Sequence, residues 1–146
     1  MKDIHSQMSA LVAIAAETLD ADNTPPMVDL QNFNAAEIVL SVGAGGITFS
    51  GSNKIEFKLT HSDDNSDYTA VQASDVLGLD SVGDGGIIKA LTEAHASAAV
   101  YRFGYVGGKR YLKLLAEFSG THATGTPMAG VVMGGEGYDN PQANQA

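Results

Sequence analysis

The sequence predicts an all-β protein: a single antiparallel β-sandwich or barrel, jelly-roll-like, with an N-terminal arm and at most one short helix. Two observations carry this. Apolar and polar residues alternate with a period of two in AEIVLSV (36–42) and again in KIEFKLT (54–60), which gives a strand one buried and one wet face. The intervening stretches GAGG (43–46) and SGSN (50–53) are turn residues, and seventeen glycines in 146 residues exceed the usual ~7%. Several short strands punctuated in this way pack as two layers or close on themselves.

Residues 1–26 read differently. Met8, Leu11, Val12, Ala15 and Leu19 recur at helical spacing, which predicts a short amphipathic helix or an arm. Pro25 and Pro26 then rule out a continuing helix or a central strand. An apolar stripe on an arm outside the domain would seek a partner. The β-domain is expected over 27–135, with a flexible tail over 136–146. Within the domain, Ile38, Leu40 and Val42 face one way, as do Ile55, Phe57 and Leu59. A short strand is expected at Ile47–Phe49, and further strands at 68–72, 99–106, 109–118 and 127–133. GGIIKALTEAHASA (85–98) places Ile87, Ile88, Leu91 and Ala94 at spacings that favour a short helix.

Composition limits the chemistry. With no cysteine, neither a disulfide framework nor a thiolate metal site can form. Seventeen acidic against eight basic side chains leave a formal charge of −9, which repels a phosphate backbone unless the cations gather on one face. LVAIAA (11–16) is too short to span a bilayer. These features predict a soluble acidic protein made in the cytosol, with no direct nucleic-acid or membrane partner.

One stretch looks like chemistry. In HSDDNSD (61–67), Asp63, Asn65 and Asp67 fall at i, i+2 and i+4, as a calcium loop begins. Counted from Asp63, however, the sixth position is Tyr68, where that loop requires glycine, and the twelfth is Ser74, where it requires a bidentate glutamate. Between two strand-like segments the stretch reads as a turn, built from residues that cap turns and tolerate left-handed geometry. Gly43–Gly46 and Gly134–Gly137 lack phosphate-loop spacing and read as turns as well. His5, His61, His95 and His122 share no ligand spacing. No catalytic residue, metal site or cofactor is expected, and no constellation supports an enzyme.

Half of the cations, Arg102, Lys109, Arg110 and Lys113, are interleaved with Tyr101, Phe103, Tyr105 and Tyr111. Such an arrangement can be a solvated strand face, a contact for an acidic protein or a nucleic-acid platform. In this acidic chain it is weighed in that order. Exposed Tyr101, Tyr105 and Tyr111 could instead stack on sugars in a carbohydrate-binding β-module.

The run YRFGYVGGKRYLKLLAEFSGTHATGTPMAGVVMGG (101–135) resembles a family of small tailed-phage and prophage structural proteins, encoded in head-assembly modules beside the major capsid protein. VDLQNFNAAEIVLSVG (28–43) and IEFKLTHSDDNSDYTAV (55–71) are similar to that family's first half. The pattern is carried by aromatic-G-Y-x-G-x-K-R-Y (Phe103–Tyr111) and G-T-x-x-x-G-T-P (Gly120–Pro127), and it includes no catalytic motif. The resemblance implies a virion component, either a capsid decoration (cement) protein on the major capsid protein or a tail or head-tail protein. It implies assembly in the host cytoplasm, residence on the capsid surface and a homo-oligomer, with a trimer favoured. The residues expected to touch partners are Met8, Leu11, Val12, Leu19, Arg102, Lys109 and Lys113.

Overall fold

The two alternating segments become the central strands of two facing sheets. The computed structural model describes all 146 residues, which form ten strands: β1 (Ser9–Leu19), β2 (Val28–Asp29), β3 (Phe33–Val42), β4 (Lys54–Ser62), β5 (Thr69–Ala70), β6 (Val76–Leu77), β7 (Ile87–Leu91), β8 (Ala99–Tyr105), β9 (Tyr111–Ser119) and β10 (Thr126–Gly137). The first sheet has the order β1-β10-β3-β8-β6 and the second β2-β9-β4-β5, with β7 also paired to β4. Every pairing is antiparallel. The result is an open β-sandwich rather than a closed barrel. Two three-residue 3₁₀ turns, His5–Gln7 and Ala73–Asp75, are its only helical segments, so no helix is long and apolar enough to cross a membrane.

The core lies between the sheets. From the first come Ile14, Ile38, Leu40, Val42, Phe103, Met128 and Val132; from the second Ile55, Phe57, Leu59, Leu112, Leu114 and Ala116. These include the inward sets read from the alternation. The β10 strand brings glycines to the same side, and a Cβ at Gly134 would lie 2.6 Å from the Phe33 ring. Glycine there lets an aromatic ring sit flat on a strand.

Several expectations are overturned. Residues 9–19 are neither helix nor free arm: they form β1, paired along β10 from Ser9↔Gly134 to Leu19↔Thr126. The register breaks between Val12 and Ile14 and again between Ile14 and Glu17. Each extra residue at a bulge shifts the side-chain parity, so the buried residues of β1 are Ala13 and Ile14, while Val12 and Ala15 of the helix-like stripe are exposed. The same distortion affects 85–98, where Ile87–Leu91 is a strand whose pairing with β4 is irregular between Phe57 and Lys58. No strand forms at 47–49; Phe49 is buried and anchors a loop. The segment expected at 68–72 is reduced to Thr69–Ala70. Gly134–Gly137 is no turn but the end of β10, paired as far as Gly137↔Phe33.

The tail also has a place. Gln142 N–H donates to the Ser6 carbonyl at 2.9 Å, and the Gln145 side-chain amide bonds both the N–H and the C=O of Ala10 at 2.8 Å.

Candidate interaction surface

The outward residues of the two central strands differ in kind. On β4 they are Lys54, Glu56, Lys58 and Thr60, facing Glu117, Leu115 and Lys113 of β9. Ion pairs cross this face, with Lys58–Glu117 at 2.5 Å and Lys54–Glu56 at 2.7 Å. On β3 the outward residues are Glu37, Val39 and Ser41. Neighbouring strands add more apolar side chains, because β10 reads PMAGVVM (127–133) with valine and methionine at outward positions.

Strand pairing assembles these residues into rows. Val12 stands opposite Val131, Val131 opposite Val39, and Val39 opposite Arg102. One row along lie Ala10, Met133, Glu37 and Gly104, and on the other side Ala129, Ser41 and Val100. Val12, Val100 and Leu77 of β6 are 58%, 62% and 57% exposed. The charged side chains in these rows are Glu37 and Arg102, which pair with each other at 3.4 Å. A protein of charge −9 thus presents one sheet face that is nearly neutral and largely apolar.

The residues expected to touch partners do not form one surface. Leu11 and Leu19 turn inward and pack on the core. Met8 is half-buried, its side chain close to Gly135. Val12 and Arg102 share the row just described. Lys109 lies in the β8–β9 turn, 3.8 Å from Asp63, and Lys113 lies on the opposite sheet with its Nζ 4.2 Å from the Tyr68 ring centroid. The cations are therefore spread over both faces, and no basic platform exists. Val39, Val131 and Met133 went unread in the sequence because their significance comes from strands distant along the chain.

Comparison with known protein families, curated proteins and solved structures finds no match.

The tyrosines expected to stack on sugars are not coplanar partners. Tyr105 is buried. Tyr101 is half-buried, bonded to His95 Nε2 at 3.0 Å and covered by Lys89. Tyr111 lies on the other sheet under the Arg110 guanidinium. A groove of about 720 Å³ at one end of the sandwich, lined by Leu30, Phe33, Glu37, Tyr105, Arg110 and Tyr138, has its polar groups tied to one another. Arg110 donates to both Asp29 oxygens at 2.8 and 2.7 Å and to Gln31 at 2.6 Å, and this contact holds the Asp29 carboxyl below its ordinary pKa. Tyr138 donates to Asn34.

His61 and Ser62 are the end of β4 rather than part of a turn, and the loop that follows at 63–67 is organised by Asp64, not by the residues at calcium-loop spacing. One Asp64 oxygen accepts the Ser62 hydroxyl at 2.8 Å and the N–H groups of Ser66 and Asp67 at 2.9 Å. The backbone bonds from Asp67 and Ser66, then the Ser62 hydroxyl, hold its pKa down to about 2. Asn65 takes the left-handed conformation at φ 60° that the turn requires.

Proposed function

We propose that this protein is a virion structural component that decorates a tailed-phage capsid, binding the outer surface of the major capsid protein shell and stabilising it. The observation that carries this reading is the outer face of the first sheet. Val12, Val131 and Val39 stand side by side across three strands, the last two half-buried, and exposed Val100 and Leu77 lie on the same sheet beyond Ser41 and the Glu37–Arg102 pair. Large apolar side chains gathered on one face of an acidic protein favour a protein contact there. Burial on a shell contributes roughly 25 cal/mol per Å² before ordering costs, and repeated copies on a lattice add avidity. The resemblance of residues 28–43, 55–71 and 101–135 to phage head-module proteins supports the same reading.

The test is co-sedimentation of the purified protein with empty shells of the major capsid protein encoded beside it. The protein should pellet with the shells and raise their disruption temperature, and Val39→Asp should abolish both effects. Absence of pelleting together with saturable binding to a glycan array would replace this reading with the carbohydrate-binding one.

A further inference from the structure

The outer edge of the first sheet is a strand with no strand neighbour on one side. β1 has a neighbour on one side only, β10. Long edge strands are usually blunted by lysine, proline or bulges. Ser9–Leu19 contains no lysine or proline, and its one charge is Glu17. Its two register breaks follow Val12, so Ser9–Val12 remains a regular ladder.

The direction of that open edge is visible in one contact. The Gln145 side-chain amide accepts the Ala10 N–H and donates to the Ala10 C=O, both at 2.8 Å. It fills the place that a neighbouring strand's peptide would take. Val12, two residues on in the same regular stretch, turns its N–H and C=O to the same side. Hydrogen bonds tie the tail there: Gln142 to Ser6 and Ser9, His5 to Asn144, and Gln145 to Ala10. Gln145 is itself exposed, so little apolar burial secures the cover.

We infer that β1 is a strand-addition site whose occupant is β1 of a second copy, and that residues 142–146 are its displaceable cover. The edge is self-complementary about a two-fold axis at Leu11. In that register Ala10 of each copy stands opposite Val12 of the other, and the two residues exchange both backbone hydrogen bonds. Leu11 meets its own counterpart as a non-hydrogen-bonded pair with Cα atoms about 4.5 Å apart. On the inner face the two Leu11 side chains continue the core, since Leu11 already packs against it. On the outer face Val12 joins Ala10 of the other copy, extending the apolar row across both molecules.

Charge confines such a contact to the region of the axis. Two chains of −9 repel each other over most of their surface. Near the axis there is no charged side chain on β1, and Glu17 lies six residues away, about 20 Å along the strand. A two-fold contact of this kind makes a dimer, not the trimer expected from the resemblance. It is a property of the isolated chain and does not depend on the shell-binding reading.

Sedimentation velocity across a wide concentration range tests the inference on the wild type, on a chain ending at Ala143 and on Val12→Asp. Thermal melts confirm that each is folded. The shortened chain should dimerise about tenfold more tightly than the wild type, because the two bonds of Gln145 no longer compete. Val12→Asp, which places carboxylates beside the axis, should remain monomeric. Because the chain has no cysteine, Leu11→Cys offers a geometric check. It should form an intermolecular disulfide on mild oxidation, whereas Val12→Cys should not, its counterpart lying beyond the 4.4–6.8 Å Cα range of disulfides. A shortened chain that stays monomeric, equal cross-linking at both positions, or a species of three or more copies would overturn the inference.

Discussion

Tyr105 Oη and His61 Nδ1 lie 2.9 Å apart, joining β8 of one sheet to β4 of the other inside the sandwich. Both residues are buried, and their rings meet edge to face. The Lys109 N–H donates to the same tyrosine oxygen at 3.0 Å. A polar bridge between two apolar layers is stable while both partners stay uncharged.

Burial first, and then the Lys109 charge, push the His61 pKa below its ordinary value, while burial pushes Tyr105 up to about 12. The two shifts bound a window of stability. A histidine with a depressed folded pKa contributes fully above the unfolded value of about 6.5, and its contribution falls as acid protonates the unfolded chain. A tyrosine with a raised folded pKa contributes fully below about 10, and its contribution is lost as pH rises from there towards about 12. Melting temperature should therefore peak between pH 7 and pH 9.5 or so. In Tyr105→Phe the alkaline loss attributable to this residue should disappear, while stability at pH 8 drops by about 1–3 kcal/mol because Nδ1 and the Lys109 N–H lose their partner. Denaturant titrations of both proteins across pH check this.

Phe57 and Leu114 are fully buried on neighbouring strands of the second sheet. Phe57→Ala should cost about 3–5 kcal/mol and Leu114→Ala about 2–5 kcal/mol by chemical denaturation. Losses of that size consume much of the stability of a small domain without disulfides. A Phe57→Ala midpoint equal to that of the wild type would contradict the core described above.

Deleting residues 1–24 should unfold the domain. The deletion removes Ala13 and Ile14 from the core and strips β10 of its outer partner. It also removes Asn23, whose side chain accepts the Ala116 N–H at 2.8 Å and donates to the Leu114 carbonyl, tying the chain to the second sheet. Loss of Ile14 packing alone is worth about 2–5 kcal/mol. A circular-dichroism melt of the truncated chain close to that of the wild type would show that β1 is dispensable.

The 61–67 loop should separate by residue. Asp63→Ala with Asp67→Ala should change stability by no more than about 0.5 kcal/mol, as for ordinary surface positions. Asp64→Ala should lower the melting temperature, because three donors lose their common acceptor. The Asp64 contribution is present above the unfolded carboxyl pKa of about 4 and fades as pH falls towards about 2. Calcium should not shift the wild-type melt, and a shift abolished by the double mutant would show a metal loop instead.

The all-β class, the inward sets Ile38–Leu40–Val42 and Ile55–Phe57–Leu59, and the turn at 63–67 within the stretch read as 61–67 were legible because each depends on neighbours in sequence: a two-residue side-chain period, or a short polar side chain reaching its own backbone. The strand at 9–19 was not, since its bulges shift parity and its pattern takes meaning only against β10, more than a hundred residues away. Arg102, Lys109 and Lys113 are close in sequence yet fall on a sheet face, a turn and the opposite sheet face, because the chain reverses between β8 and β9 and enters the other layer. Val12, Val39 and Val131 are unremarkable singly and become one row through hydrogen-bonded pairing of three strands. Local periodicity determines which residues of a strand share a side. Only long-range pairing decides which strands lie side by side, and with that which side chains gather into a surface.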